Sequence, residues 1–229
     1  MAHVNALQQV QESAAQQAWL DVRVDEGVAP VEAARAIQLS GIYGCRQVTV
    51  PSALAKAARK TLGRTVKLAV SCSDVLGWPG DSLLMHAHAK LTGVHVDELV
   101  IPVDANLLAD AAWTRKQLHR VASLCHAHGA LAVVRLSADG ISAAHMRVLA
   151  QGMREASIDA VILAPERKAV PADVLMAALT AAAPRTAVRV EEPASTPERT
   201  IQLQDLGAES QVLTAQAFLA LAAEAKQVA

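Results

Sequence analysis

The stretch VDELVIPVDANLLADAAW, residues 96–113, contains the strand, turn and helix pattern that decides the fold of this chain. Apolar residues 99–103 end at a polar turn, residues 104–106, and a helical pattern follows. A short apolar run that ends in turn-forming residues is typical of a strand buried on both faces. Parallel α/β folds hold their ligands at the carboxyl ends of such strands, so Asp104 and Asn106 are candidate functional residues.

The same succession of strand, turn and helix recurs along the chain at a spacing of about 25 residues. Eight such pairs with short connections predict a single-domain α/β protein, a closed (β/α)8 TIM barrel over residues 18–229. An open doubly wound sheet is the structural alternative. Residues 1–17 are polar and glutamine-rich, and we expect them to form a short helical N-terminal extension. The predicted strands are residues 19–24, 47–50, 66–72, 99–103, 131–136, 160–164, 187–190 and 211–213.

The composition argues against several classes of partner. Of the 229 residues, 52% are hydrophobic but only 2% aromatic, and the formal net charge is −1. A chain so nearly neutral has no electrostatic basis for binding nucleic acid or an anionic membrane. Three cysteines without a CxxC pair, no signal-peptide pattern and no long apolar run predict a cytoplasmic protein.

Predicted strands two to four carry a resemblance to a known family. Their sequences are VTVPSALAKAARKTL (residues 48–62), VKLAVSC (66–72) and VDELVIPVDANLL (96–108), the last followed by Trp113. In order and spacing the chain resembles the deoxyribose-phosphate aldolase family of class I aldolases, from about residue 20 to residue 223. The resemblance implies a TIM barrel that makes or breaks a carbon–carbon bond through a Schiff base between a lysine and a carbonyl substrate.

The residues that this resemblance implies for the chemistry are missing from the chain. Ile162 stands where the family has its nucleophilic lysine on strand six, and Val100 stands where it has an aspartate on strand four. Ala132 replaces a supporting lysine of strand five, and strand seven, residues 187–192, contains no lysine. The turns after strands seven and eight lack the glycines with which the family holds a substrate phosphate; Asp21 on strand one still matches. Because an imine requires an amine, we expect a degenerate member that has lost Schiff-base aldolase activity.

Three functional hypotheses follow, and they leave open whether the chain is an enzyme. The first is a non-catalytic barrel that binds a small carbonyl or sugar ligand, or acts as the partner subunit of an active paralogue or of a second copy in a dimer. The second is a carbon–carbon lyase or isomerase that uses Asp104 or Asp21 for acid–base chemistry. The third is a residual aldolase, an aldehyde-lyase-type enzyme, that uses Lys168, the one lysine predicted at the ligand end.

Polar residues that follow predicted strands supply the remaining candidates. Turns and helix caps favour Asp, Ser and Asn in any protein, so a structural role is the alternative for each of them. The eight histidines form no pattern with an acidic partner, and we predict no metal site and no cofactor. The candidate catalytic residues are Asp104, Asp21 and Lys168, and the candidate ligand-binding residues are Ser73, Asp74, Asn106, Ser137, Glu166 and Glu191.

Overall fold

The computed structural model describes residues 19–72, 80–103, 111–165, 169–192 and 196–228. The predicted N-terminal extension lies outside these ranges. Within them, no helix is both long enough and apolar enough to cross a membrane.

Eight parallel strands, β1 to β8, pair in chain order and close into a barrel through the pairing of β1 with β8. The predicted single-domain (β/α)8 barrel is confirmed, and the alternative of an open sheet is wrong. The strands are nearly continuous runs of buried residues because the helices cover the outside of the barrel and side chains fill its inside. The strands are β1 Leu20–Arg23, β2 Gln47–Pro51, β3 Lys67–Ser71, β4 Glu98–Val103, β5 Leu131–Ser137, β6 Ala160–Ala164, β7 Ala187–Glu192 and β8 Ser210–Thr214.

Local sequence signals set the ends of several helices. The Ser142 hydroxyl accepts a hydrogen bond from the backbone N–H of His145, and the Thr196 hydroxyl accepts one from Arg199, so each residue caps the helix that follows it. Gly63, at a φ of 62°, ends a helix in a conformation that glycine adopts at little cost. The helices are α1 Pro30–Ile42, α2 Ala55–Leu62 (after a 3-10 turn, Ser52–Leu54), α3 Gly80–Thr92, α4 Ala111–Ala127, α5 Ala143–Glu155, α6 Ala172–Ala182, α7 Pro197–Asp205 and α8 Ala215–Val228.

Two aspartates, Asp97 and Asp159, tie neighbouring strands together at the amino end of the barrel. Each residue precedes a strand, β4 or β6, and its carboxylate accepts a backbone N–H from the strand before. Asp97 Oδ2 lies 2.7 Å from the nitrogen of Leu68, and Asp159 Oδ2 lies 2.8 Å from the nitrogen of Ala132. These bonds satisfy backbone donors at an end where the ladder of strand-to-strand bonds is incomplete.

Alternate residues along the strands face either the helices or the barrel axis. The side chains that face the axis include one small aliphatic cluster, separate from the core that lies between strands and helices. We call this cluster the inner layer, and its members are Ala69, Val100, Val133, Ala160, Ile162 and Val212.

Candidate functional site

The inner layer occupies the positions where the resemblance implied Schiff-base chemistry. Ile162 is 2% exposed and Val100 is 1% exposed, and both pack with Val133 and Val212 inside the barrel. Ile162 pairs in register with Arg189 on β7, so an arginine lies beside the position that the resemblance assigns to the nucleophilic lysine. The aliphatic side chains divide the barrel interior into an amino end and a carboxyl end, and each end contains charged groups.

The amino-end network is a chain of ionic contacts among Asp21, Arg46, Glu98, Arg189 and Glu209. The guanidinium of Arg189 donates two hydrogen bonds to Glu98, at 2.6 and 3.0 Å, and its Nε donates to Glu209 at 2.5 Å. Glu209 also lies 3.2 Å from Arg46, which donates two hydrogen bonds to Asp21. Since β4 and β7 are three strands apart, the pair of Glu98 and Arg189 spans the interior of the barrel.

Burial disfavours the charged forms of Arg189, Glu209 and Asp21 in the amino-end network, and their partners compensate to different extents. Burial lowers the pKa of Arg189, but hydrogen bonds and charge from Glu98 outweigh it and raise the pKa above the ordinary value. The guanidinium of Arg189 holds the pKa of Glu209 below its usual range despite burial. For Asp21 burial prevails, and its pKa is raised although Arg46 and Ser210 donate hydrogen bonds to it.

The mouth cluster, at the carboxyl end of the barrel, consists of Arg23, Arg135 and Glu191. Arg135 donates two hydrogen bonds to the carboxylate of Glu191, from Nε and Nη2, each at 2.9 Å. Arg23 donates a third from its Nη2, also at 2.9 Å, and forms an ion pair with the more exposed Asp25. Among the described residues, the buried Nε of Arg23 has no hydrogen-bond partner.

The two arginines change the titration of the carboxylate between them. Burial disfavours the charged form of Glu191, but hydrogen bonds from Arg135 and the charge of Arg23 outweigh it, so the pKa of Glu191 lies below its usual value of 4.5. Burial lowers the pKa of Arg23, and the neighbouring charge of Arg135 lowers it further. The cluster therefore contains two cations and one anion, all within the barrel wall.

The adjacent glutamates of β7 have different surroundings because successive strand residues face opposite sides. Glu191 faces the barrel axis, whereas Glu192 is buried on the helix side, where Arg199 of α7 donates two hydrogen bonds to it at 2.9 and 3.1 Å. Burial raises the pKa of Glu192. Only Glu191 of this pair belongs to the mouth.

The structure brings two of the candidate ligand-binding residues to one end of the barrel. Glu191 lies in the mouth cluster, and the half-buried Ser137 ends β5, two residues after Arg135. Asp21, expected at the same end, lies instead in the amino-end network, where Ser210 donates a hydrogen bond to it at 2.6 Å. The other candidates lie outside the described residues: Asp104, Lys168, Ser73, Asp74, Asn106 and Glu166.

Sequence reasoning did not identify the charged residues of the barrel interior. Four of them, on β1, β4, β5 and β7, lie two residues from a position named on the same strand, and alternation therefore places both side chains on the barrel axis. Counting in steps of two residues from each named position along its strand would have identified these charged residues. Arg23 follows Asp21, Glu98 precedes Val100, Arg135 precedes Ser137, and Arg189 precedes Glu191.

No lysine among those with a described side chain lies in the inner layer. Lys67 is exposed at the start of β3, at the amino end, and Lys90 donates a hydrogen bond to the hydroxyl of Ser52 at 2.8 Å. Within the same part of the chain, no group of three or more histidine, cysteine or acidic residues is arranged to hold a metal ion.

No protein-family model matches the chain, and no curated protein matches it. Solved structures match over its whole length. One is the tetrameric deoxyribose phosphate aldolase of Aeropyrum pernix, 17% identical, with a TM-score of 0.76 and 100% of both chains covered. An aldolase named QR15 is 14% identical, with a TM-score of 0.73 and coverage of 93% of this chain and 96% of the other.

A third structure has a different activity. The N-acetylmannosamine-6-phosphate 2-epimerase of Clostridium perfringens is 12% identical, with a TM-score of 0.64 and coverage of 100% of this chain and 98% of the other. Likeness at such low identity establishes the fold alone. The chain has the barrel fold of deoxyribose-phosphate aldolases.

Proposed function

We propose that this chain is an aldolase-like barrel that has lost Schiff-base chemistry and acts as a non-catalytic binding or partner subunit. The observation that carries the proposal is the inner layer, because Ile162 and Val100 stand where the resemblance implies a nucleophile and an acid–base group. Neither side chain has an atom that can attack a carbonyl or move a proton.

The charged groups of the barrel interior support the proposal, because they bind one another. Arg189 pairs with Ile162 in register, yet its guanidinium is directed to Glu98 and Glu209 at the amino end. A guanidinium stays protonated and does not form an imine as a lysine does. Asp21, the polar position on strand one that still matches the family, is 1% exposed and bound by Arg46 and Ser210. A binding role retains the barrel without requiring any of these groups to react.

Reductive trapping tests the proposal. The amine of a lysine adds to an aldehyde to give a carbinolamine, which loses water to form an imine, and cyanoborohydride reduces the imine to a stable secondary amine. We expect incubation with acetaldehyde and cyanoborohydride to label the native chain no more than slow background alkylation of exposed lysines. Peptide mass mapping of the native chain and of Lys116→Arg, which lacks one exposed helix lysine, measures that background.

Trapping also separates the proposal from its two enzymatic alternatives. Rapid, stoichiometric labelling that disappears in Lys168→Arg would overturn the proposal in favour of a residual aldolase. Release of an aldehyde from deoxyribose phosphate without any trapped adduct would favour the lyase with altered acid–base chemistry, and it would have to diminish in Asp104→Asn or Asp21→Asn. Absence of both signals supports the non-catalytic role.

A further inference from the structure

Two histidine side chains meet on the outer surface of the barrel, at its amino end. His88 lies one turn before the end of α3, and His128 lies in the turn that joins α4 to β5. The centroids of their imidazole rings are 5.2 Å apart, with an angle of 74° between the ring planes. Both residues are exposed, so a solute in water can reach either ring.

The two imidazoles differ from other histidines at the same end of the barrel. His126 and His95 each face an aspartate, with Nε2 at 2.8 and 3.4 Å from a carboxylate oxygen. In the described part of the chain, the rings of His88 and His128 have each other as neighbours but no hydrogen bond or ion pair. Each neutral imidazole therefore keeps a nitrogen lone pair that it can donate to a ligand.

The backbone that carries His128 is fixed by the end of α4. Its N–H donates to the carbonyl of Cys125 at 2.9 Å, and Gly129 follows at a φ of 71°, the conformation that commonly ends a helix. The carboxyl end of a helix carries partial negative charge. His88, in the last turn of α3, has a similar position, so both helix ends favour a cation.

The separation of the rings fits ligation of one shared metal ion. Imidazole nitrogens lie about 2.0–2.1 Å from zinc in a tetrahedral site, and the centroids of two such rings are then about 5 Å apart. The rings need no common plane, and rotation of the two exposed side chains directs a nitrogen of each to the ion. Imidazole is a ligand of zinc, copper and nickel, whereas calcium and magnesium prefer oxygen.

We propose that His88 and His128 form a surface site for a divalent transition-metal ion such as Zn²⁺, which joins α3 to the turn before β5. No third histidine, cysteine or acidic residue of the described chain completes the set, so water or a ligand from solution takes the remaining positions. The expectation of no metal site rested on spacing within the sequence, which does not detect a pair brought together by the fold. The site goes beyond the proposed function, because it lies outside the barrel and away from the mouth.

Zinc titration tests the site directly. The probe is Zn²⁺ alone, added as the chloride in a buffer that does not bind metals, and isothermal calorimetry should show saturable binding. His88→Ala and His128→Ala should each weaken this binding by about tenfold or more, because each removes a direct ligand. His119→Ala, the matched control, removes a single exposed imidazole from α4 and should bind zinc like the native chain.

Thermal unfolding gives a second readout, which depends on the folded geometry. Only the folded chain brings the two imidazoles together, so Zn²⁺ should raise the unfolding temperature of the native chain relative to that of either alanine variant. Without zinc, both variants should unfold near the native temperature, because the substituted side chains are exposed. The double variant should bind zinc about as weakly as each single variant, since one remaining imidazole no longer chelates.

Three results would overturn the zinc site: no saturable binding, alanine variants that bind zinc as tightly as the native chain, or an equal loss of binding in His119→Ala. Any of them would mean that the two rings only pack against each other. None of them depends on trapping by an aldehyde. The zinc site and the loss of Schiff-base chemistry are therefore refuted by different experiments.

Discussion

The two ends of the barrel interior contain the same kinds of charged group in opposite circumstances. At the amino end, Arg189 is enclosed between Glu98 and Glu209, and each guanidinium nitrogen of this residue has an acceptor. At the carboxyl end, Arg23 and Arg135 share one buried carboxylate and reach the surface. The comparison teaches that Arg189 is shielded from solvent by its acceptors, whereas the two arginines of the mouth cluster stay partly exposed.

The largest expected effect comes from breaking the enclosed pair. Arg189→Met removes the partner of Glu98 and leaves a buried carboxylate uncompensated, which should lower the free energy of unfolding by about 3–5 kcal/mol. Urea denaturation at pH 7 measures the change, with Arg115→Gln as the exposed control. The double variant Arg189→Met with Glu98→Leu should recover most of the loss. A single variant as stable as the native chain would mean that the pair of Arg189 and Glu98 does not stabilise the amino end.

The inner layer between the two ends gives the next largest effect. If Ile162 is packed as tightly as its 2% exposure indicates, Ile162→Ala should cost about 2–5 kcal/mol because it leaves a cavity. Ile162→Val, the matched control, should cost about 0.5–1.5 kcal/mol. Urea denaturation measures both variants. An alanine variant no less stable than the valine variant would indicate an open chamber above Val100 in place of a packed layer.

The mouth cluster should contribute to the pH dependence of the free energy of unfolding. Because the folded-state pKa of Glu191 lies below 4.5, its charged form contributes stability that is complete above about pH 4.5 and is lost as the pH falls further. Glu191→Gln should lower the free energy of unfolding by about 1–3 kcal/mol at pH 7 and by less in acid.

The difference between the native chain and Glu191→Gln isolates this contribution, since Asp97 and Glu209 also have lowered pKa values and add to the acid loss. Glu32→Gln, at an exposed site on α1, is the control and should keep the pH profile of the native chain. A difference that stays constant from pH 7 down to about pH 3 would contradict the assignment of the lowered pKa to Glu191.

The smallest expected effect concerns a single hydroxyl of the amino-end network. Ser210 donates to Asp21 at 2.6 Å and accepts from Arg46 at 3.0 Å, so Ser210→Ala should cost about 1–2 kcal/mol. Ser123→Ala, at an exposed site on α4 whose hydroxyl bonds only its own helix, should change stability by at most about 0.5 kcal/mol. Equal effects in thermal unfolding would mean that the hydroxyl adds nothing to the enclosed end.

The barrel could be predicted from the sequence because its signal is repeated. Apolar runs such as LVIPV and AVILA, each ended by turn formers and followed by a helical pattern, identify buried parallel strands wherever they occur. The structure sets the strand ends within one or two residues of the expectation: β2 extends to Pro51, and β8 begins at Ser210. Periodicity does not fix such ends, because the last hydrogen bonds of a ladder depend on the neighbouring strand.

The candidate site was less accessible to sequence reasoning because contacts within the barrel join residues distant in the chain. Glu191 was named, but its two arginines lie 56 and 168 residues away. Asp21 was named as a candidate catalytic residue and expected at the ligand end, whereas its position near the start of β1 directs it to Arg46 at the amino end. Alternation identifies which residues face the axis, but only the register of the closed barrel shows which of them meet.

Closure of the barrel between β1 and β8 has a consequence for synthesis on the ribosome. Asp21 and Ser210 are 189 residues apart, so β1 can pair with β2 early but lacks its second neighbour, β8, until residues 210–214 have emerged. During that interval one edge of β1 is unpaired. Asp21 and Arg46 cannot yet form their contacts with Ser210 and Glu209. Closure of the barrel is therefore the strand pairing that forms last during synthesis, after the other strands have emerged.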